Sequence, residues 1–295
     1  MTGVVVGVNG SAESEQALDW ALAEAASREV SLTAVMAWQP GNRAPEPAQY
    51  AQLVERKREE ALTILDLALR RTGISVPAQA RLAEGPAADA LLAAQDDADL
   101  LVLGRRGVGR MGRLVLGSVS STVVEHATRP VTVVRRAEKT VPDAGGSPTE
   151  TGPPRVLVGV DTSPPSIAAL HHGAEAAARI GGVLDVVFAW QITTLAPLPG
   201  SWGWAPPIED YEKFAAGALD ACVAQAALPL PDERVVRRVL HGNAAETLLN
   251  AAAGAERIVV GNRGLGGFDR LLLGSVSRQV LDYAASPVTV VRAEG

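Results

Sequence analysis

The sequence predicts two tandem α/β domains, each a doubly wound parallel sheet of five strands with helices on both faces. Three observations lead there. The chain repeats itself: VVVGVNGS near the start returns as VLVGVDTS, TAVMAWQ as DVVFAWQ, and LLVLGRRGVGRMGRLVLGSVSSTVVEHATRPVTVVRR as RIVVGNRGLGGFDRLLLGSVSRQVLDYAASPVTVVRA. Within each copy, short β-rich apolar runs alternate with stretches of helical period, the pattern of a parallel sheet with crossover helices. Between the copies lies AEKTVPDAGGSPTETGPP, rich in Pro, Gly, Thr and Glu and without periodicity, which reads as a linker. The domains are therefore expected at residues 1–137 and 155–295, with a linker at 138–154. Asn9 pairs with Asp161 and Gly104 with Gly261, so the second copy has gained five residues between these points.

The elements follow in order. VVVGV suits a buried first strand, and Ala17, Leu18, Ala21, Leu22 and Ala25 recur at helical spacing behind it. Ser11 or Ser14 marks the start of that helix, and Ser163 before Pro164 marks its counterpart. LTAVMA is the second strand. The run Glu55 to Glu60, ERKREE, fits a solvated face of the next helix with spaced opposite charges. QARLA and RRVLH, the third strands, carry the weakest apolar signal; Gly85-Pro86 opens the helix after the first of them. LLVLG is the fourth strand, and a helix begins at Ser118. Both copies finish on PVTVV, Pro130 to Val134 and Pro287 to Val291. A final apolar strand is an exposed edge unless something pairs with it, and the other copy can supply that partner.

Composition bounds the function. With 47% hydrophobic and 20% charged residues the chain has ample material for buried cores, and its net charge of −6 argues against bulk nucleic-acid binding. The single cysteine, Cys222, lies in the alanine-rich LDACVAQAAL, where a buried helix position is expected rather than a nucleophile. No apolar run reaches bilayer-spanning length, and MTGVVVGVNGS lacks a charged leader, so a cytoplasmic protein is expected.

The stretch from Gly104, GRRGVGRMGRLVLGSVSS, is the centre of the chemistry. It fails as a Walker A loop, because neither copy has the lysine. Its GxGxxG, at Gly107, Gly109 and Gly112, follows a late strand rather than the first, and Asp269 replaces the last glycine in the second copy. Another spacing holds in both copies: Gly, two residues, Gly, nine residues, Gly-Ser. It reads Gly104, Gly107, Gly117-Ser118 and then Gly261, Gly264, Gly274-Ser275. Glycines permit positive φ and close approach of backbone N–H groups to an anion, and the helix opening at Ser118 or Ser275 favours negative charge at its amino end. Arg106, Arg110 and Arg263 add candidate charge-assisted donors.

This spacing, preceded by an apolar strand and followed by PVTVV, resembles the ATP-binding signature of the universal stress protein family, and the chain is similar to its tandem-domain members over nearly all of both halves. The resemblance implies an adenine nucleotide alpha hydrolase-like fold, an internal pseudo-dimer through the two PVTVV segments, and a cytoplasmic ATP-binding stress-response regulator with one site per half, binding ATP with or without Mg2+. It implies that Gly7, Val8, Asn9 and Ala37 in the first half, and Gly159, Val160, Asp161 and Ala189 in the second, face the nucleoside. Gly109 and Gly266 join the phosphate loops, and Val119 and Val276 follow the loop serines. Asn9 departs from the family aspartate by losing its charge.

Other candidates carry less. His126, His171, His172 and His241 form no metal spacing, and none is supported as a catalytic base. Trp38 and Trp190 end equivalent strands, where a tryptophan either stacks on a base or packs as a lid; Trp202 and Trp204 sit in a Pro/Gly-rich loop. A binding module is expected rather than an enzyme, since no paired carboxylates or activated nucleophile accompany the loops. The alternatives are a nucleotidyl or adenylate-forming enzyme on a related fold, and an interaction protein with vestigial loops. A homodimer of whole chains is expected in addition, on a surface the sequence does not specify; no nucleic-acid or membrane partner is expected. The pseudo-dimer expectation has a direct check: residues 1–137 and 155–295, expressed separately and mixed, should co-elute on size-exclusion chromatography, and a lysine at Val133 or Val290 should abolish that.

Overall fold

The structure, a computed structural model, describes residues 3–40, 46–105, 116–135, 152–191, 207–265 and 272–293. The chain divides into two compact units, Met1–Ala137 and Glu138–Gly295. Much of the expected linker lies outside the described residues.

The first unit runs β1 (Gly3–Val8), α1 (Ala12–Arg28), β2 (Leu32–Trp38), α2 (Pro47–Thr72), β3 (Ala78–Glu84), α3 (Ala87–Ala93), β4 (Ala98–Gly104), α4 (Ser118–His126) and β5 (Val131–Val134). The second runs β6 (Arg155–Val160), α5 (Pro164–Arg179), β7 (Val183–Trp190), α6 (Ile208–Ala226), β8 (Val235–His241), α7 (Ala244–Ala251), β9 (Arg257–Gly261), α8 (Ser275–Tyr283) and β10 (Val288–Val291). Strand order is β3-β2-β1-β4-β5 in one unit and β8-β7-β6-β9-β10 in the other, with parallel pairing inside each unit. Winding reverses between β1 and β4, and between β6 and β9. Crevices beyond the carboxyl ends of the strands open at those points.

Strand alternation decides which helices cover which face. Val4, Val6 and Val8 pack with Ala17, Leu18, Leu22, Ala61 and Leu65 of α1 and α2. A Cβ built on Gly7 would instead meet Leu91 of α3, so α3 covers the opposite face. The second unit repeats this: Val156, Val158 and Val160 pack with α5 and α6, whereas Gly159 faces Leu248 of α7. Burying each of these leucines stabilises the unit by about 1.5–3 kcal/mol. The third strands are half exposed, β3 alternating in burial, which explains their weak apolar signal.

Ser11 caps α1 and Ser163 caps α5, each hydroxyl accepting from the N–H three residues on. The charged run of α2 is solvent-facing, with Lys57–Glu60 at 2.6 Å and Arg58–Glu55 at 2.8 Å. His126 ends α4, its Nδ1 2.9 Å from the Thr122 carbonyl. No helix among the described residues is long and apolar enough to cross a membrane.

The halves differ below the crevices. In the second, Asp185 is 2% exposed and held by Arg155 at 2.8 Å and by both Nε and Nη2 of Arg238 at 2.8 and 2.6 Å. Arg155 also donates to the Ala251 carbonyl at 3.2 Å, tying the end of α7 to the sheet. The first half has Gly3, Thr33 and Arg81 at these positions, and Arg81 turns instead to exposed Asp97.

A second difference lies just after the first strand of each copy. Gly10 has φ 74 and Thr162 has φ 69, the left-handed region that costs a β-branched residue about 1–3 kcal/mol. Ile64 of α2 lies 3.7 Å from a Cβ placed on Gly10, whereas the corresponding place beside Thr162 is held by the smaller Cys222 of α6. Burial is the main cause raising the Cys222 thiol above its ordinary pKa, with the Asp161 carboxylate adding to it. The cysteine is buried in its helix, as expected from the sequence. Glycine goes with the larger partner and threonine with the smaller. Cys222→Ile should therefore destabilise the second unit by about 1–3 kcal/mol through overpacking, and Thr162→Gly should recover most of that loss, measured by urea unfolding of the four-variant cycle.

Candidate functional site

Each half carries one cavity at its switch point, of about 490 Å³ in the first and 420 Å³ in the second. Both fall within the size range of small-molecule sites. Their walls are built by one short-range closure. At the end of β4 the Arg105 carbonyl accepts from Gly117 N–H at 3.0 Å, and after β9 the Asn262 carbonyl accepts from Gly274 N–H at 2.7 Å. The Ser120 hydroxyl donates to the Gly104 carbonyl at 2.8 Å, and that of Ser277 to the Gly261 carbonyl at 2.6 Å. These bonds hold the amino ends of α4 and α8 against the strands that precede them, with their unpaired first-turn N–H groups at the cavity.

The amino ends of α1 and α5 reach the same cavities. A Cβ on Gly104 would stand 2.7 Å from the Glu13 carbonyl oxygen, and one on Gly261 would stand 2.8 Å from the Pro165 carbonyl carbon. Glycine at these strand ends lets the first helical turn pass directly over them. Ser14 and Ser166 complete the corner: each hydroxyl accepts from the backbone of Asn9 or Asp161 at 3.3 Å and donates to the carbonyl of the capping serine at 2.9 Å. Two helix amino ends thus converge on each cavity, and both favour an anion there.

Every described residue that the sequence nominated for the glycine spacing or for the nucleoside end of the first two strands lines one of the two cavities. Gly7, Val8, Asn9, Ala37, Gly104, Gly117, Ser118 and Val119 line the first. Gly159, Val160, Asp161, Ala189, Gly261, Arg263, Gly264, Gly274, Ser275 and Val276 line the second. Arg106, Gly107, Gly109, Arg110 and Gly266 lie outside the described residues. Ser118 and Ser275 are the first helical residues; the caps are Gly117, at φ −66, and Gly274, at φ −70. None of the described glycines of the spacing has a positive φ. This corrects the sequence argument from left-handed turns: where the structure assigns these glycines a reason, it is close approach of neighbouring backbone or carboxylate.

Several wall residues were not anticipated. Leu91 and Leu248 form an apolar side with Val35 and Val187, and Ser14, Ser120, Ser166 and Ser277 also line the cavities. The signal for them was available in the repeat, since SVS, ALLA and TLLN return in register. The tryptophans, by contrast, line neither cavity. Trp38 packs on Tyr50 with centroids 5.7 Å apart, while Trp190 stacks on Tyr211 at 6.3 Å and meets the edge of His241 at 4.7 Å. Tyr50 donates to Glu84, the counterpart of His241, so that position supports the aromatic cluster in both halves. Trp202 and Trp204 lie outside the described residues.

Charge separates the two cavities. The described lining of the first holds no ionisable side chain, whereas the second has Asp161 and Arg263. Arg292, just beyond β10, sits close enough to Arg263 that burial and that second guanidinium push its pKa below the ordinary arginine value. Two guanidiniums therefore neighbour each other beside the second cavity.

The sequence model of the universal stress protein family matches residues 1–135 and 153–292, one copy for each half. The chain belongs to that family. A universal stress protein of Mycolicibacterium smegmatis is 32% identical over 303 residues, covering 98% of this chain and 97% of its own. Universal stress protein Rv2005c of Mycobacterium tuberculosis is 33% identical over 300 residues, with the same coverage. The crystal structure of a universal stress protein from Archaeoglobus fulgidus shares the fold, with a TM-score of 0.69 at 19% identity over 99% of this chain and 98% of that one. The family match covers both cavities, so both belong to universal stress domains. Gly104→Ala and Gly261→Ala, each forcing a helical turn away from its strand, should destabilise their own units by about 1–3 kcal/mol in denaturant unfolding.

Proposed function

We propose that the protein is an ATP-binding universal stress protein of the cytoplasm, a nucleotide-dependent regulator with one site in each half. The observation that carries this reading is the twice-built crevice in which two helix amino ends converge above a glycine-serine closure. Converging backbone N–H groups and hydroxyls favour a polyanion, and the apolar side made by Val187, Ala189 and Leu248, or by Val35, Ala37 and Leu91, suits a planar base. Val8 and Val160 with Ala37 and Ala189 take the nucleoside end; Gly117, Ser118 and Val119 take the phosphates in the first half, and Gly274, Ser275 and Val276 with Arg263 in the second. Arg106, Gly107, Gly109, Arg110 and Gly266 complete the phosphate loops in this reading.

The described residues hold no cluster of three or more His, Cys, Asp or Glu side chains arranged to grip a metal. Asp161 is the one carboxylate on either described cavity wall, and both its oxygens already accept from backbone and hydroxyl donors. These side chains do not build a metal cage. In this reading Mg2+ arrives as the counter-ion of the nucleotide, held by its phosphates and water.

The described linings supply donors for holding phosphate and no nucleophile paired with a base, which supports a binding role over a catalytic one. Mass spectrometry of nucleotide released from protein purified without added ligand should find ATP, and isothermal titration should find two sites. Gly117→Glu with Gly274→Glu should weaken ATP binding more than tenfold with an unchanged circular dichroism spectrum. Unchanged affinity in that double variant would overturn the site assignment, and turnover of about 1 per second or faster would overturn the binding role.

A further inference from the structure

We infer that Asp161 is a positioning residue, a clasp that fixes the start of the phosphate loop in the second half. Its effect on affinity rests on the nucleotide reading above; the clasp does not. Asp161 stands just past the end of β6, and Leu265 stands in the loop after β9. Leu265 N–H donates to Asp161 Oδ2 at 2.9 Å, joining positions 104 residues apart in sequence. The other oxygen is engaged as well: Oδ1 accepts from Ser163 N–H at 3.1 Å and from the Ser163 hydroxyl at 2.5 Å. Ser163 caps α5, so the carboxylate links strand end, helix start and phosphate loop.

The neighbouring glycine follows from the same contact. A Cβ on Gly264 would stand 2.1 Å from Asp161 Oδ2, far inside any real contact distance. Gly264 has no positive φ that would require glycine for conformational reasons. Its side chain is absent because the carboxylate must pass that point to reach the next N–H. Asp161 and Gly264 are therefore one device in two pieces. A carboxylate with its oxygens taken by three donors also presents less bare negative charge to an approaching polyphosphate than a free one would.

An asparagine cannot do the same work. It keeps one acceptor oxygen, but its amide nitrogen would turn donor against donor toward Leu265 N–H. Asn9 in the first half shows the part that survives: its Oδ1 accepts from Ser11 N–H at 3.0 Å, the counterpart of the Ser163 bond.

The test uses the full-length chain and begins without ligand. Asp161→Asn should speed hydrogen exchange of the Leu265 amide by about tenfold to a hundredfold, the loss of one hydrogen bond to a charged acceptor, while β6 and β9 amides keep their protection. Gly264→Ala should produce the same loosening in the Asp161 background and little further change once Asp161→Ala is present, a non-additivity that separate structural roles would not give. In a Gly117→Glu background, which isolates the second site, both single variants should weaken ATP binding about tenfold, because the loop must then be ordered at the moment of binding. An unchanged Leu265 exchange rate in Asp161→Asn would overturn the clasp, as would equal effects of Gly264→Ala in both backgrounds. ATP affinity that collapses while Leu265 stays protected would make the carboxylate a ligand group instead. If the parent chain binds no ATP at all, the nucleotide reading falls, and the exchange data alone decide the clasp.

Discussion

The site in each half depends on a single backbone hydrogen bond, from the N–H of the capping glycine to the carbonyl of the residue following the fourth strand. Gly117 to Arg105 and Gly274 to Asn262 bring the start of a helix back to the end of the strand it left. The serine hydroxyls of Ser120 and Ser277 repeat the closure one residue further down the strand. A loop of any composition can connect a strand to a helix. Only a closed one aims the amino end of the helix at the switch point, where α1 or α5 already points its own. The anion-favouring character of each cavity thus arises from backbone direction more than from side-chain charge, which is why the first cavity needs no ionisable side chain in its described lining.

Most of the fold was legible in the sequence because its signals are redundant. Buried parallel strands need continuous apolar runs, and the repeat showed each run twice, so even the third strands, blurred by half exposure, could be placed. The cavity positions were legible for the same reason: a glycine spacing that recurs in one context outweighs any single glycine. What could not be read is whatever depends on distance across the fold. The serine anchors join residues 16 apart through space, Leu91 and Leu248 reach the crevice only once α3 and α7 are docked, and the reach of Asp161 past Gly264 spans two distant segments. The tryptophans were ambiguous between base stacking and packing, and Tyr50 and Tyr211, on the following helices, took them away from the cavities.

The two halves share a scaffold and divide in their electrostatics. The second half carries a buried carboxylate between two arginines at the lower end of its sheet, and a carboxylate and guanidinium at the upper end. The first half replaces the former with glycine and threonine and the latter, within its described lining, with neutral groups. Burying Asp185 is costly unless it is paired, and the two arginines donate three hydrogen bonds to it while also reaching the Ala251 carbonyl at the end of α7. Losing Asp185 would leave two arginines without their shared carboxylate, and losing either arginine would leave the buried carboxylate with one partner fewer.

The exchange of Gly10 with Ile64 for Thr162 with Cys222 bears on how a duplicated domain can change. The turn and the helix behind it are neighbours in both copies: Ile64 lies 3.7 Å, an ordinary contact distance, from a Cβ placed on Gly10, and Cys222 lies against the Thr162 backbone. Substitutions at positions in contact couple energetically, so two copies that began identical are expected to differ in pairs at such a place. The halves of this chain are consequently less interchangeable than their common architecture suggests. A hybrid taking its turn from one copy and its helix from the other would combine threonine with isoleucine, or glycine with cysteine, pairings that neither copy contains.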